Sequence, residues 1–186
     1  MWNPVNCDRC GDCFVECLYV DWDRGKAVQE ISKLIDTGES EILTACVTCC
    51  GCNEYCDKGA NPWDLILKRQ DETGCLHILP KAPAMFEMAA AAPSSVVKGE
   101  PGKPTLSLCM MEPLSTNIFK GPIFEGLTVL KGGDYFCNIG YLHIGQEKPI
   151  REGAQKVVDN LAATGAEEII CFHEDCYALL VGKAPD

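Results

Sequence analysis

Over residues 27–38 the apolar side chains Val28, Ile31, Leu34 and Ile35 recur at helical spacing in AVQEISKLIDTG, and Gly38 is placed to end the helix. A second helix is expected from NPWDLILKRQ, where Asn61 can cap, Pro62 can take the first helical position, and Trp63, Ile66 and Leu67 form an inward face. From residue 105 the rhythm changes. TLSLCM, LTVLKGG and AEEIICF read as strands, and REGAQKVVDNLAATG reads as a helix with Ala154, Val157, Val158 and Leu161 on one side. Strand, helix and strand at these lengths predict a parallel sheet in an α/β unit. Between the two regions, residues 81–104 (KAPAMFEMAAAAPSSVVKGEPGKP) are rich in proline, glycine and small residues, and read as a linker with a short helix at MFEMAAAA. The expected fold class is α+β and multidomain: a helical domain over 1–80, the linker over 81–104, and a small α/β domain over 105–186.

Fourteen cysteines in 186 residues need an explanation, because a chain of this length can bury a hydrophobic core without covalent staples. The N-terminal MWNPVNCDRC lacks the basic and apolar regions of a secretory signal, so a reducing, cytoplasmic setting is expected rather than a disulfide framework. No run approaches the roughly 18 apolar residues that span a bilayer, so a membrane link would come through a partner. The net charge of −11, with no basic stripe, argues against nucleic acid.

The cysteines themselves are patterned. Cys7-x2-Cys10-x2-Cys13-x3-Cys17 is repeated as Cys46-x2-Cys49-x2-Cys52-x3-Cys56, the spacing of a pair of cubane iron–sulfur sites. Three cysteines spaced by two residues wrap three corners of a cluster from one loop, and a fourth at the start of the next helix points toward the neighbouring cluster. On that logic Cys7, Cys10, Cys13 and Cys56 bind one [4Fe–4S] cluster, and Cys46, Cys49, Cys52 and Cys17 bind the other. Structural zinc is the competing reading, but a four-ligand zinc site leaves the remainder of both runs unexplained. Cys50, and Cys75 with His77, fit local packing better than ligation. Trp22 and Trp63 read as core residues.

With both runs, the helix between them and the helix after them, the chain resembles the iron–sulfur subunits of the heterodisulfide reductase family and their relatives in anaerobic glycerol-3-phosphate dehydrogenase and glycolate oxidase systems. Where that family commonly has proline after the fourth cysteine, Leu18 and Asp57 stand here.

Cys109, Cys137, Cys171 and Cys176 fall near the ends of the predicted strands, where α/β units build their sites, and a third [4Fe–4S] cluster on these four is the preferred reading, with His173 as a substitute ligand. Zinc, or a metal-free redox-active group, is the alternative. The family's cysteine-rich domain is matched in part: Cys109 stands at its lone cysteine, Cys137-Asn138 at its Cys-Cys pair, and His173-x2-Cys176 at its CxxC. The missing cysteine argues against a double non-cubane cluster. Near neutrality His173 could also deliver a proton to a two-electron acceptor, whereas His143 has no partner visible in sequence.

The resulting expectation is an electron-transfer subunit of a heterodisulfide-reductase-like oxidoreductase complex. No nucleotide fingerprint is present, Gly132-Gly133 alone being weak, so a flavoprotein, hydrogenase, formate dehydrogenase or quinone-linked subunit is expected as partner in a hetero-oligomer. The alternatives are a catalytic disulfide reductase using the C-terminal cysteines, and a non-redox iron–sulfur assembly protein. The catalytic residues are not identifiable from sequence. The chain stops at YALLVGKAPD soon after its last cysteine, so another subunit is expected to complete the sheet, or the polypeptide to be longer.

Overall fold

The Asp23 carboxylate accepts a hydrogen bond from the Lys26 amide at 2.9 Å, and this cap starts the helix around which the N-terminal half is built. The structure, a computed structural model, describes residues 1–110, 119–173, 176–177 and 179–180. Its helices are α1 (Asp12–Val15), α2 (Arg24–Asp36), α3 (Ile42–Ala45), α4 (Gly51–Glu54), α5 (Pro62–Thr73), α6 (Lys81–Ala90) and α7 (Lys148–Ala162). The strands are β1 (Ser95–Val97), β2 (Thr105–Cys109), β3 (Thr128–Lys131) and β4 (Ile169–Cys171), so the chain is α+β. It divides into two compact units, one of Met1–Ile78 with Tyr141–Glu147, the other of Leu79–Gly140 with the chain from Lys148 onward. The C-terminal residues 181–186, on which the expectation of an unfinished sheet rests, lie outside the described residues. Among the described residues no helix is long and apolar enough to cross a membrane.

In the first unit α2 buries Ala27, Glu30, Ile31 and Leu34, a face rotated from the expected one, since Val28 is 37% exposed. Glu30 is the reason. Its carboxylate is fully buried yet accepts from Ser40 Oγ at 2.9 Å, the Glu41 amide at 2.8 Å and Lys33 Nζ at 2.8 Å, with Lys26 Nζ at 3.1 Å. A polar residue so satisfied turns inward without the cost of an unpaired charge. Ile31 and Leu34 then pack with Phe14, Ile42, Leu65 and Ile66. Gly38, at φ 74, ends the helix with its amide on Lys33 O at 2.9 Å. The Arg69 guanidinium of α5 donates to the last carbonyls of α2, Leu34 O at 3.2 Å and Ile35 O at 3.0 Å. Pro62 opens α5 as expected, but Asn61 does not cap it through its side chain; Asn53 Oδ1 accepts from the Trp63 amide at 2.9 Å.

The second unit carries a four-stranded sheet in the order β1-β3-β2-β4. β2 lies parallel to both β3 and β4, which are joined through α7, as the strand–helix–strand pattern requires. Val157 and Leu161 of α7 pack with Leu130, Tyr135 and Ile169 on one face. Leu106 and Leu108 point to the other, under Phe119, Phe124 and Phe172. Residues 81–104 are not a linker: they form α6 and the edge strand β1, which pairs antiparallel with β3. The small residues there serve close packing. A Cβ on Gly133 would sit 2.1 Å from Ala90 O, and one on Gly132 2.3 Å from Pro93 O, so this glycine pair lets the turn after β3 close on the segment leading into β1.

The buried Glu30 makes the first unit acid-sensitive. Burial alone would push its carboxyl up, but the bonds from Lys33, the Glu41 amide, Ser40 and Lys26 outweigh it and hold it down at about 2, against an ordinary 4.5. Because the folded value is depressed, its contribution is full above the ordinary value and is lost as pH falls from 4.5 toward about 2. Glu30→Gln should lower stability by about 1–3 kcal/mol near neutrality. In urea titrations at a series of pH values, the difference from the parent should vanish across that acid window; a pH-independent difference would contradict this role for the charge.

Candidate metal centres

The two cysteine runs fold into the same local structure, displaced by 39 residues (46 − 7 = 39). Arg9 and Thr48 occupy equivalent places with φ 63 and φ 62, and Gly11 and Cys50 do likewise with φ 80 and φ 61. The next residues form α1 and α4, each of four residues. The Phe14 amide bonds Gly11 O at 3.0 Å as the Asn53 amide bonds Cys50 O at 2.9 Å, and the amides of Cys17 and Cys56 close on Phe14 O and Asn53 O at 3.4 and 3.3 Å. The left-handed residues let a short loop curl so that several cysteines face one space. Cys50 stands where the first loop has a glycine, and its thiol lies 3.9 Å from Thr48 O. Cys17 and Cys56 follow their short helices rather than beginning them.

Each loop borders a cavity that the other completes. Cys7, Cys10 and Cys13 line one together with Cys56; Cys46, Cys49 and Cys52 line the other together with Cys17, and Cys50 also borders it. The spaces outside protein atoms, solvent mouths included, measure about 310 and 470 Å³ respectively. Their surroundings differ. Around the first stand Asp8, Arg9, Asp12 and Lys58, with Lys58 Nζ 3.3 Å from Asp8, Arg9 paired to Asp36 at 2.7 Å, and Arg24 paired to Asp12. The second has a floor of Phe14, Ile42, Trp63 and Ile66 and a rim of exposed Leu18, Tyr19, Val47 and Tyr55. Trp22, edge-on to Phe14 at 5.6 Å, packs in the core.

Burial pushes the Cys10 thiol up to about 11, Cys13 and Cys46 to about 12 and about 11, and Cys52 well above its ordinary value; neighbouring sulfurs add to the effect at Cys13, Cys46 and Cys52. Thiolates in such places require a directly bonded cation. Backbone amides already face two of the sulfurs, Thr48 N to Cys46 Sγ at 3.3 Å and Ala60 N to Cys56 Sγ at 3.4 Å, as outer-shell donors to metal-bound sulfur do. Each cavity thus offers soft donors from both loops that are not drawn together as the ligands of one zinc ion would be: among the described residues the eight sulfurs form no group of three within 4.8 Å, whereas the ligands of a tetrahedral zinc stand about 3.8 Å apart at a Zn–S distance of about 2.3 Å. A four-iron cluster fits this donor set.

His143 joins these loops from far along the chain. It lies in the Tyr141–Glu147 segment of the first unit, and its Nδ1 shares a 2.5 Å hydrogen bond with Thr48 Oγ1, between Cys46 and Cys49. A separation of 95 residues leaves no local signal for such a contact. Cys75 and His77 are exposed and border neither cavity.

The second unit gathers three of its four cysteines. Cys109 ends β2, Cys137 follows the 3₁₀ turn Gly133–Tyr135, and Cys176 lies beyond β4; their sulfurs all fall within 4.8 Å of one another and all three residues are buried. Cys176 Sγ donates to Cys137 Sγ at 3.4 Å. The bonds that Cys109 accepts from Cys137 and Cys176 hold its thiol well below the ordinary value, while Cys137 is raised by its bond to Cys109 and Cys176 by both neighbours. The trio therefore stabilises one negative charge and resists a second. Cys171 and His173 do not join this group. In the sheet Cys171 is level with Ser107, two residues before Cys109, and two strand residues are about 6–7 Å.

The chain has no significant match among protein-family models, curated proteins or solved structures.

Loop closure depends on Gly11, where a Cβ would lie 2.9 Å from Val28 N and 3.1 Å from Ala27 Cβ, at φ 80. Gly102 has the same φ with nothing within 4 Å, and provides the control. Gly102→Ala should cost about 1–2 kcal/mol from backbone strain alone. Gly11→Ala should cost about 1–3 kcal/mol more, because the loop must also move off α2. Equal losses in chemical denaturation would show that the loop does not pack as described.

Proposed function

We propose that this chain is an electron-transfer subunit of a heterodisulfide-reductase-like oxidoreductase complex, holding two [4Fe–4S] clusters in its N-terminal unit. The observation that carries the reading is the division of eight cysteines between two like loops, with Cys17 and Cys56 exchanged so that each cavity is lined by the first three cysteines of one run and the fourth of the other. When bound, clusters of this kind supply one-electron chemistry, with potentials set by charge, exposure and hydrogen bonds to sulfur.

The protein's part is holding, shielding and tuning. Cys7, Cys10, Cys13 and Cys56 would ligate the first cluster, and Cys17, Cys46, Cys49 and Cys52 the second. Phe14, Trp63 and Ile66 exclude water from the second cavity, while the Thr48 and Ala60 amides direct partial positive charge at ligand sulfurs. Charged groups around the first cavity and the apolar rim around the second give the two sites different surroundings, and so different potentials. Leu18, at 85% exposure, and Tyr19, Val47 and Tyr55 beside it form the surface best suited to a protein redox partner. A flavoprotein, hydrogenase, formate dehydrogenase or quinone-linked subunit fits that role, in a cytoplasmic hetero-oligomer. Direct reduction of an outside disulfide by the C-terminal cysteines is disfavoured by the burial of Cys109, Cys137 and Cys176, each at most 7% exposed.

Protein purified without oxygen should contain about eight irons and about eight acid-labile sulfides in its N-terminal sites. Cys13→Ser and Cys52→Ser should each perturb one of two reducible paramagnetic centres and leave the other. Zinc in place of iron, or irons that cannot be reduced, would overturn the proposal.

A further inference from the structure

We infer that Cys109, Cys137 and Cys176 form a site for a single thiophilic divalent ion of the zinc class, held by three thiolates, rather than for a third four-iron cluster. The site goes beyond the electron-transfer reading and does not depend on it.

The first argument is size. Three sulfurs within 4.8 Å of one another, two of them 3.4 Å apart, match the spacing of about 3.8 Å between ligands of a tetrahedral zinc. The eight N-terminal cysteines supply the contrast within the same chain, since among the described residues no three of their sulfurs lie within 4.8 Å of one another. The second argument is donor number. Cys171 is the one further cysteine near these strands, and its place level with Ser107 keeps it out of the trio, so a cubane would lack its fourth protein thiolate. The third is charge. Three buried thiolates with a divalent ion carry a net charge of about −1, far easier to bury than three uncompensated thiolates.

Local backbone points the same way. Cys109 has φ 56 and Asn138, next to Cys137, has φ 57, both left-handed and neither glycine. Such strain persists where surrounding structure fixes it, and it clusters at sites that hold a ligand. Cys109 is further fixed by its carbonyl, which accepts from the Gly132 amide at 2.8 Å. The three ligands come from the end of β2, the turn after β3 and the chain beyond β4, so one ion would tie three separate segments of the unit. With three protein thiolates, the fourth position is left to water or another donor. Zinc fits better than a monovalent soft ion because a monovalent ion would leave a larger buried charge.

The test is metal analysis of the full chain, purified without oxygen and replete in iron. About one zinc per chain is expected alongside the iron. Cys109→Ser and Cys137→Ser should each abolish that zinc without changing iron, and Cys171→Ser should retain it. Zinc-edge X-ray absorption of the unsubstituted protein, which needs no variant to fold, should show three sulfurs at about 2.3 Å. Loss of about four irons on substituting the trio would identify a cubane and overturn the inference. So would absence of zinc, zinc unaffected by the trio substitutions, or a zinc shell with fewer than three sulfurs. Iron at the N-terminal cysteines is read separately, so failure of either proposal leaves the other standing.

Discussion

The first unit depends on the exchange of Cys17 and Cys56 between its two loops. Neither run can surround a space alone, because its fourth cysteine follows a short helix that carries it away from the first three. The chain between the runs must therefore return the second loop beside the first, and α2 and α3 do this. The rotated face of α2 follows from the same need: Ala27 is small enough for Gly11 to approach, while Glu30 reaches Ser40 and Glu41 and pins the start of α3. What looks in sequence like a polar interruption is the fastening between the helix and the chain leading to the second run.

The two units solve a common problem in different ways. Sulfur in an apolar setting resists becoming thiolate, and a bonded cation relieves that resistance. In the first unit the cysteines of each cavity come from both loops, and two of the sulfurs are met by backbone amides. In the second unit three sulfurs crowd together at the end of a parallel sheet, already sharing charge through hydrogen bonds. On the proposed reading a cluster is held in each cavity of the first unit and a single ion in the second unit. Cysteine number alone does not distinguish them; the separation between sulfurs does.

Much of this was legible in sequence because the signals were local. The repeated cysteine spacing, Pro62 at a helix start, Gly38 at a helix end and the alternation of strands with a helix after residue 105 are short-range facts. Contacts remote in sequence were not legible. Residues 81–104 have a linker's composition, but Gly132 and Gly133, having no Cβ, pack against the backbone of Ala90 and Pro93, and β1 then joins an edge of the sheet. His143 was isolated in sequence and meets Thr48 only because Tyr141–Glu147 belongs with the first unit. Cys171 had a plausible position in a list of four, but strand register sets it two residues short of Cys109. Cys50 takes the left-handed place equivalent to Gly11, which cysteine spacing alone does not show.

In the proposed assignment the ligand sets are crossed between the runs. Crystals grown without oxygen, with anomalous scattering recorded at the iron edge, provide the sharpest test of that crossing. Two four-iron peaks are expected in the first unit, one bonded to Cys7, Cys10, Cys13 and Cys56 and the other to Cys17, Cys46, Cys49 and Cys52. Peaks each bonded to the four cysteines of a single run, or no iron at these positions, would contradict it.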